Sequence, residues 1–243
     1  MANINIIARK LHRWLAYLVF AQLTLWVVGG LTFAVIPFDS VIKGGNSVQA
    51  PAPPIIKAEQ LRVAADFLAE NTAMTWASHH QSSLGPVAKI TTDTGTQWLE
   101  LNSGQLAQPV SKNAVTRFAQ SIYTGSGLHA TTRYLTAAEP RFLGLVDELY
   151  GRSDVWQVAF DDALGTRLYF DNATGVFLTV RNNFWVVYDA MWRLHIMDYS
   201  HGDDFNNPLL RILTPLTLLF VISGIILTWL SAKRALLRRR HIV

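Results

Sequence analysis

Cysteine is absent from the 243 residues. That absence removes disulfides, iron–sulfur clusters, thiolate zinc sites, covalent c-type haem attachment and thiol nucleophiles together. Charge is thin as well: 16% of the residues are charged and 50% are hydrophobic, whereas an ordinary soluble domain carries roughly 25% charged residues. No acidic or basic low-complexity run interrupts the middle of the chain, so nucleic-acid binding has no footing. There is no Gly-x-Ser-x-Gly, His-Glu-x-x-His, P-loop or dinucleotide fingerprint, so a nicotinamide or flavin site would have to come from a partner. Redox or metal chemistry must then rest on histidine, carboxylate or a non-covalent cofactor.

The apolar surplus sits in two blocks. Residues 14–38 and 212–232, 25 and 21 positions long, carry no charge; at 1.5 Å rise per residue each crosses a hydrocarbon core of roughly 30 Å. A basic N-terminus ahead of the first block also suits a signal peptide. The block exceeds an h-region of about 7–15 residues and no clear Ala-x-Ala site follows, so an uncleaved anchor is expected. Lys and Arg near span ends stay on the cytoplasmic side. Arg9, Lys10 and Arg13 precede the first block, and Lys233, Arg234, Arg238, Arg239 and Arg240 follow the second. Both termini (1–13 and 233–243) are therefore expected to be cytoplasmic, with the central part translocated, into the periplasm if the protein sits in a Gram-negative inner membrane. The formal charge of +4 then divides: eight basic residues lie in the flanks with no acidic ones, leaving 13 basic against 17 acidic, or −4, outside.

The insert reads as α+β and as a repeat. Residues 39–57, with Pro51, Pro53 and Pro54, form an extended linker. Residues 58–71 place Leu61, Ala64, Ala65 and Leu68 on one helical face. Strand-like runs follow at 87–92 and 96–102, then a Ser103-Gly104 turn and a short run at 105–110. Residues 113–123 are helical in pattern again, and 155–160, 166–171 and 176–180 are strands separated by turns. An offset of about 70 lays Gly95-Thr96 on Gly165-Thr166 and Ser103-Gly104 on Thr174-Gly175. Each half (58–112 and 113–182) is thus a helix followed by a three-stranded antiparallel meander, the second with an extra helical piece at 141–150. An aromatic juxtamembrane helix and loop (183–207) then lead into the second transmembrane helix (208–232).

The Leu11-His12-Arg13-Trp14 entry into the first span, its Gly29-Gly30 exit, the two helix-plus-meander units, and the Ser223-Gly224 span with Trp229 near its end together resemble the PepSY-associated transmembrane helix family, over essentially the whole chain. The second meander (155–180) is similar to a PepSY unit. The resemblance implies an inner-membrane protein binding haem b without a covalent link and reducing ferric iron or ferric siderophores. Larger members have four or more spans, so this two-span chain would need a homodimer to enclose a cofactor. The electron donor is unknown.

Seven histidines are available. His241 lies in the basic tail, His79 and His80 in a Ser-rich polar stretch, and His129 in a Gly-rich loop. His12 stands at the cytoplasmic boundary and on a helix shares a face with Ala16, Val19, Leu23 and Gly30, which leaves room beside the imidazole. It reads equally as an axial haem ligand or as an interfacial histidine among headgroups, and the resemblance favours the ligand. Trp185, Tyr188, Trp192, His195 and Tyr199 recur at helical spacing, either as an aromatic belt or as a second haem site with His195 as ligand beside Trp192 and Tyr199. His201 is the alternative ligand. Asp198, Asp203 and Asp204 suit either loop capping or docking of a ferric substrate. Besides the reductase, the chain could be a non-enzymatic PepSY binding or regulatory protein acting on a protease, peptide or transporter, with its spans serving as anchors.

Overall fold

The computed structural model describes residues 2–42, 44–93, 95–200 and 202–240, the side chains of 2–5 and 237–240 excepted. His201 and His241 lie outside the described residues. The fold is α+β. In chain order it runs α1 (Ala2–Val35), α2 (Phe38–Ile42), a 3-10 turn (Gly45–Ser47), α3 (Ala58–Glu70), β1 (Thr75–Ser82), β2 (Gly85–Thr92), β3 (Gly95–Glu100), α4 (Lys112–Ile122), β4 (Ala130–Leu135), β5 (Val155–Phe160), β6 (Arg167–Asp171), β7 (Phe177–Arg181), α5 (Asn183–Ile196) and α6 (Pro208–Arg240). Two compact units divide the chain: Ile36–Tyr188, which holds the sheets, and Met1–Val35 with Asp189–Val243, which is helical.

In the helical unit, α1 over Ile6–Val35 and α6 over Pro208–Leu236 are each long and apolar enough to cross a membrane. Trp14, Tyr17, Phe20 and Leu31 on α1, and Ile212, Ile225 and Trp229 on α6, are exposed, a lipid-compatible surface. The inner face of α1 shares His12 and Val19 with the stripe the sequence suggested and departs from it at the other positions. Leu15, Val19, Gln22 and Gly29 are buried, and His12, Trp26 and Phe33 make ring contacts between them. These positions advance by three and four residues alternately, the spacing that keeps one seam turned towards a neighbouring helix. Gly30 meets nothing within 4 Å of its Cα substituent position.

In the sheet unit, β1-β2-β3 form one antiparallel sheet and β4-β5-β6-β7 another. Alternation sends Ala88, Ile90 and Leu99 into a core with Ala64 of α3, and Val158, Phe160, Leu168 and Phe170 into a second core with Val115, Ala119 and Ile122 of α4. The helices start where a side chain satisfies an orphan amide: Gln60 Oε1 accepts from the Lys57 amide at 2.9 Å, and Ser111 Oγ from the Ala114 amide at 3.3 Å. Burying these two apolar faces is the main stabilising term of the unit.

The order helix then antiparallel strands occurs twice. Two strands, β1 and β4, stand where the sequence suggested none, because Thr75–Ser82 (TWASHHQS) and Ala130–Leu135 (ATTRYL) carry little apolar alternation and are edge strands. The run at 105–110 is not a strand; it touches β3 by a single bridge, Leu106 to Leu99. Residues 141–150 form turns rather than a helix, with Phe142, Leu143 and Tyr150 at positive φ. Their purpose is visible in Glu148, which is 4% exposed. Its carboxylate accepts from the Arg167 guanidinium at 2.5 Å and from the Tyr169 hydroxyl, and Tyr169 in turn accepts from Gln157 Nε2 at 2.6 Å. Burial and the Glu148 charge push the Tyr169 phenol above its ordinary pKa, so it remains a donor.

The two sheets meet through their turns. The Ser83 amide donates to the Gly175 carbonyl at 3.2 Å, Ser83 Oγ to the Thr174 carbonyl at 3.3 Å, and the Val110 amide to the Asn172 carbonyl at 3.0 Å. Gly175 has φ 66° and a Cβ there would lie 1.9 Å from Ser83 Oγ. Gly175→Ala is therefore expected to destabilise the protein by about 2 kcal/mol, through both the left-handed backbone and the lost docking, read as a lowered melting temperature; Asn172→Ala, which keeps the backbone contacts, should change it little.

Candidate functional site

The two histidines singled out above occupy different levels of the helical unit. His12 lies half-buried against α6. Its Nδ1 is 2.9 Å from Ser223 Oγ and 3.3 Å from the Phe220 carbonyl oxygen. The imidazole stacks on the Phe220 ring with centroids 4.4 Å apart and planes 12° from parallel. Across from it stands Gly224, where a Cβ would come within 3.2 Å of His12 Cε1. An imidazole whose Nδ1–H is donated to a carbonyl or hydroxyl oxygen is fixed in tautomer and orientation, and its Nε2 is the basic, ligating atom.

His195, near the end of α5, meets α1 seventeen positions further along the chain from His12. A Cβ on Gly29 would lie 3.4 Å from His195 Nδ1. Phe33 packs edge-on to the imidazole at 5.6 Å and Trp26 lies tilted at 6.2 Å. His195 Nδ1 is buried with no hydrogen-bond partner among the described residues. The last carbonyls of α5 are satisfied by side chains: Gln22 Nε2 donates to Leu194 at 3.1 Å, Trp26 Nε1 to His195 at 2.6 Å, and Asn207 Nδ2 to Ile196 at 2.8 Å. At 1.5 Å per residue, the two imidazoles stand about 25 Å apart along α1.

The aromatic stripe divides. Trp192 belongs to the same cluster as His195, its ring 6.0 Å from Phe33 and 5.5 Å from Phe205, and its Nε1 donates to the Gly202 carbonyl at 2.9 Å. Trp185 instead packs in the sheet unit, under the Arg181 guanidinium at 4.1 Å and edge-on to Tyr150. Tyr199 is not brought to His195. The helix ends at Ile196, Met197 takes φ 57°, and Tyr199 is exposed beyond that bend.

The acidic residues after α5 are drawn into loop structure. Asp198 is buried, accepting from the amides of Ser200, Gly202, Asp203 and Asp204 at 2.8–3.0 Å and from Ser200 Oγ at 2.6 Å. Asp189 and Arg193 are paired at 2.7 Å, and Arg193 also donates to the Ser200 carbonyl. No group of three or more metal-binding side chains occurs among the described residues. Burial raises the pKa of Asp198, but the bonds from Ser200, Asp204 and Asp203 outweigh it and hold the carboxyl well below the usual range. A depressed folded-state pKa contributes stability that is complete above about pH 4 and is lost as the pH falls below it. The melting temperatures of the wild type and Asp198→Asn should therefore differ at pH 7 and converge in acid.

His79 and His80 lie on β1, not in a solvated loop, and successive residues of a strand face opposite ways. His79 meets Trp76 at 6.0 Å while His80 meets Trp98 at 5.5 Å; they do not form a chelating pair. Trp26, Phe33 and Phe220, which pack on the two imidazoles, and Gln22, which holds the end of α5, were not singled out from the sequence, and Ser223 was noted only as part of the resemblance. The signal available was Gln22, a lone amide in a charge-free span, since polar groups at such depth find a partner. No protein-family model, no curated protein and no solved structure matches the chain.

Proposed function

We propose that the chain is a membrane-anchored haem protein that transfers electrons to ferric iron or a ferric siderophore on the periplasmic side of a bacterial inner membrane, as its resemblance to PepSY-associated transmembrane helix proteins implies. The setting of His12 carries this reading. Nδ1 engaged by Ser223 and Phe220, a ring held on the Phe220 face, and Gly224 in place of a larger residue leave Nε2 as a ligand atom of fixed direction. A bound haem b would supply one-electron ferric and ferrous chemistry. His12 would hold the iron of one haem and His195 that of a second, and the rings of Trp26, Phe33 and Trp192 would shield the second site from water. With about 25 Å between them, the two imidazoles of one chain do not share an iron. A homodimer supplies a second ligand at each level and further helices to enclose the cofactor. The basic flanks put both termini in the cytoplasm, where the electron donor would dock.

The test is a single turnover: protein reduced under argon is mixed with ferric citrate, and the absorbance of the reduced haem is followed. Oxidation matched by ferrous iron formed supports the reading; haem that stays reduced, or no haem at all, contradicts it. A second reading, a PepSY-type binding or regulatory protein, is favoured by the cleft between the two sheets described next. It predicts that residues 51–182 alone retain the activity, whereas the reductase reading predicts complete loss.

A further inference from the structure

The face of the first sheet turned away from α3 carries polar side chains and is partly buried. Ser78, Lys89 and Trp98 stand opposite one another across β1, β2 and β3, with His80 two positions along. Together with Arg152 and Phe177 from the second half they line a cavity of about 690 Å³, within the usual size of small-molecule sites, roughly 300–1,000 Å³. Two of the lining groups are cations, Lys89 and Arg152, and neither has an ion-pair partner among the described residues. The carboxylate in the lining, Asp171, already accepts at one oxygen from the Ala173 and Thr174 amides and the Thr174 hydroxyl. His80 adds no third charge, because burial and the adjacent His79 and Lys89 lower its pKa; its Nε2 lies 2.9 Å from Ser78 Oγ. Flat apolar surface comes from Trp98 and Phe177.

We propose that this cavity binds a small aryl carboxylate, its ring beside Trp98 and Phe177 and its charge on Lys89 and Arg152. An unpaired cation on a cavity wall, as the partly buried Lys89 is, acts more strongly than on open surface because the low-dielectric walls weaken screening, and the exposed Arg152 adds a second positive charge. The arginine fork matches a carboxylate in plane, and the lysine adds a point charge. The rings supply apolar contact for a planar ligand. None of this depends on haem or on the helical unit.

The test uses the full chain in detergent, titrated with benzoate and with its neutral isostere benzamide, following tryptophan fluorescence and binding heat. Saturable binding of benzoate, about tenfold tighter than benzamide, is expected. Lys89→Gln and Arg152→Gln should each weaken benzoate about tenfold and leave benzamide unchanged, while Lys89→Arg retains binding. Arg152 is exposed, so its replacement leaves the fold intact even if Lys89→Gln lowers the melting temperature. Equal binding of the two probes, benzoate binding indifferent to Arg152→Gln, no saturable binding, or preference for an acidic peptide over benzoate would each overturn the proposal.

Discussion

His12→Ala is expected to remove the haem absorbance that depends on the inner site while leaving the fold and membrane insertion unchanged. The alanine cannot ligate, and the imidazole it removes is the group held against Phe220 and Ser223. Ser223→Ala is the finer probe. It keeps the imidazole and deletes one of the two oxygens that set its tautomer, and loss of such an orienting partner typically weakens metal retention about 10–100-fold. Gly224→Leu attacks from the other side, since a Cβ there already lies 3.2 Å from His12 Cε1; the larger side chain should displace the ring and lower haem content as far as His12→Ala does. The readout is haem per chain by pyridine haemochromogen assay on protein of matched helicity. Full haem occupancy in all three variants would show that His12 holds no iron.

The second large effect concerns the sheet unit. Glu148→Ala should cost about 3–5 kcal/mol, because it strands the Arg167 guanidinium in a buried site and leaves the Tyr169 hydroxyl without its acceptor. Arg141, 3.4 Å from the same carboxylate, is partly exposed and contributes less. The double replacement Glu148→Leu with Arg167→Met removes both charges at once and should recover most of the loss, since a buried ion pair repays little more than its own desolvation. Melting temperatures of the single and double variants give the answer. A single variant as stable as the wild type would mean that residues 141–150 are not anchored as described.

The hairpins β2-β3 and β5-β6-β7 were legible because apolar alternation and turn residues agree there. The two edge strands were not, since Thr75–Ser82 owes its place to pairing with Gly85–Thr92 rather than to its own pattern. At 141–150 helical spacing was overridden by a buried carboxylate: the chain takes left-handed turns to bring Glu148 to Arg167. The two helices long and apolar enough to cross a membrane were plain from the absence of charge, yet the inner face of α1 keeps His12 and Val19 of the face inferred and has Leu15, Gln22 and Gly29 where Ala16, Leu23 and Gly30 were expected. Steps of three and four admit several stripes in an apolar helix, and only the neighbours α5 and α6 select among them. Tyr199 lies off the stripe because the helical spacing continues in the sequence after the helix has stopped at Ile196.

The most direct measurement is the absorption spectrum of the full-length protein, produced with excess haem and extracted from membranes, before and after dithionite. The account predicts a Soret band that shifts to longer wavelength on reduction, with a sharp α band of low-spin, histidine-ligated iron that weakens in His12→Ala and in His195→Ala. A spectrum with no Soret band, or one that neither substitution changes, would contradict it.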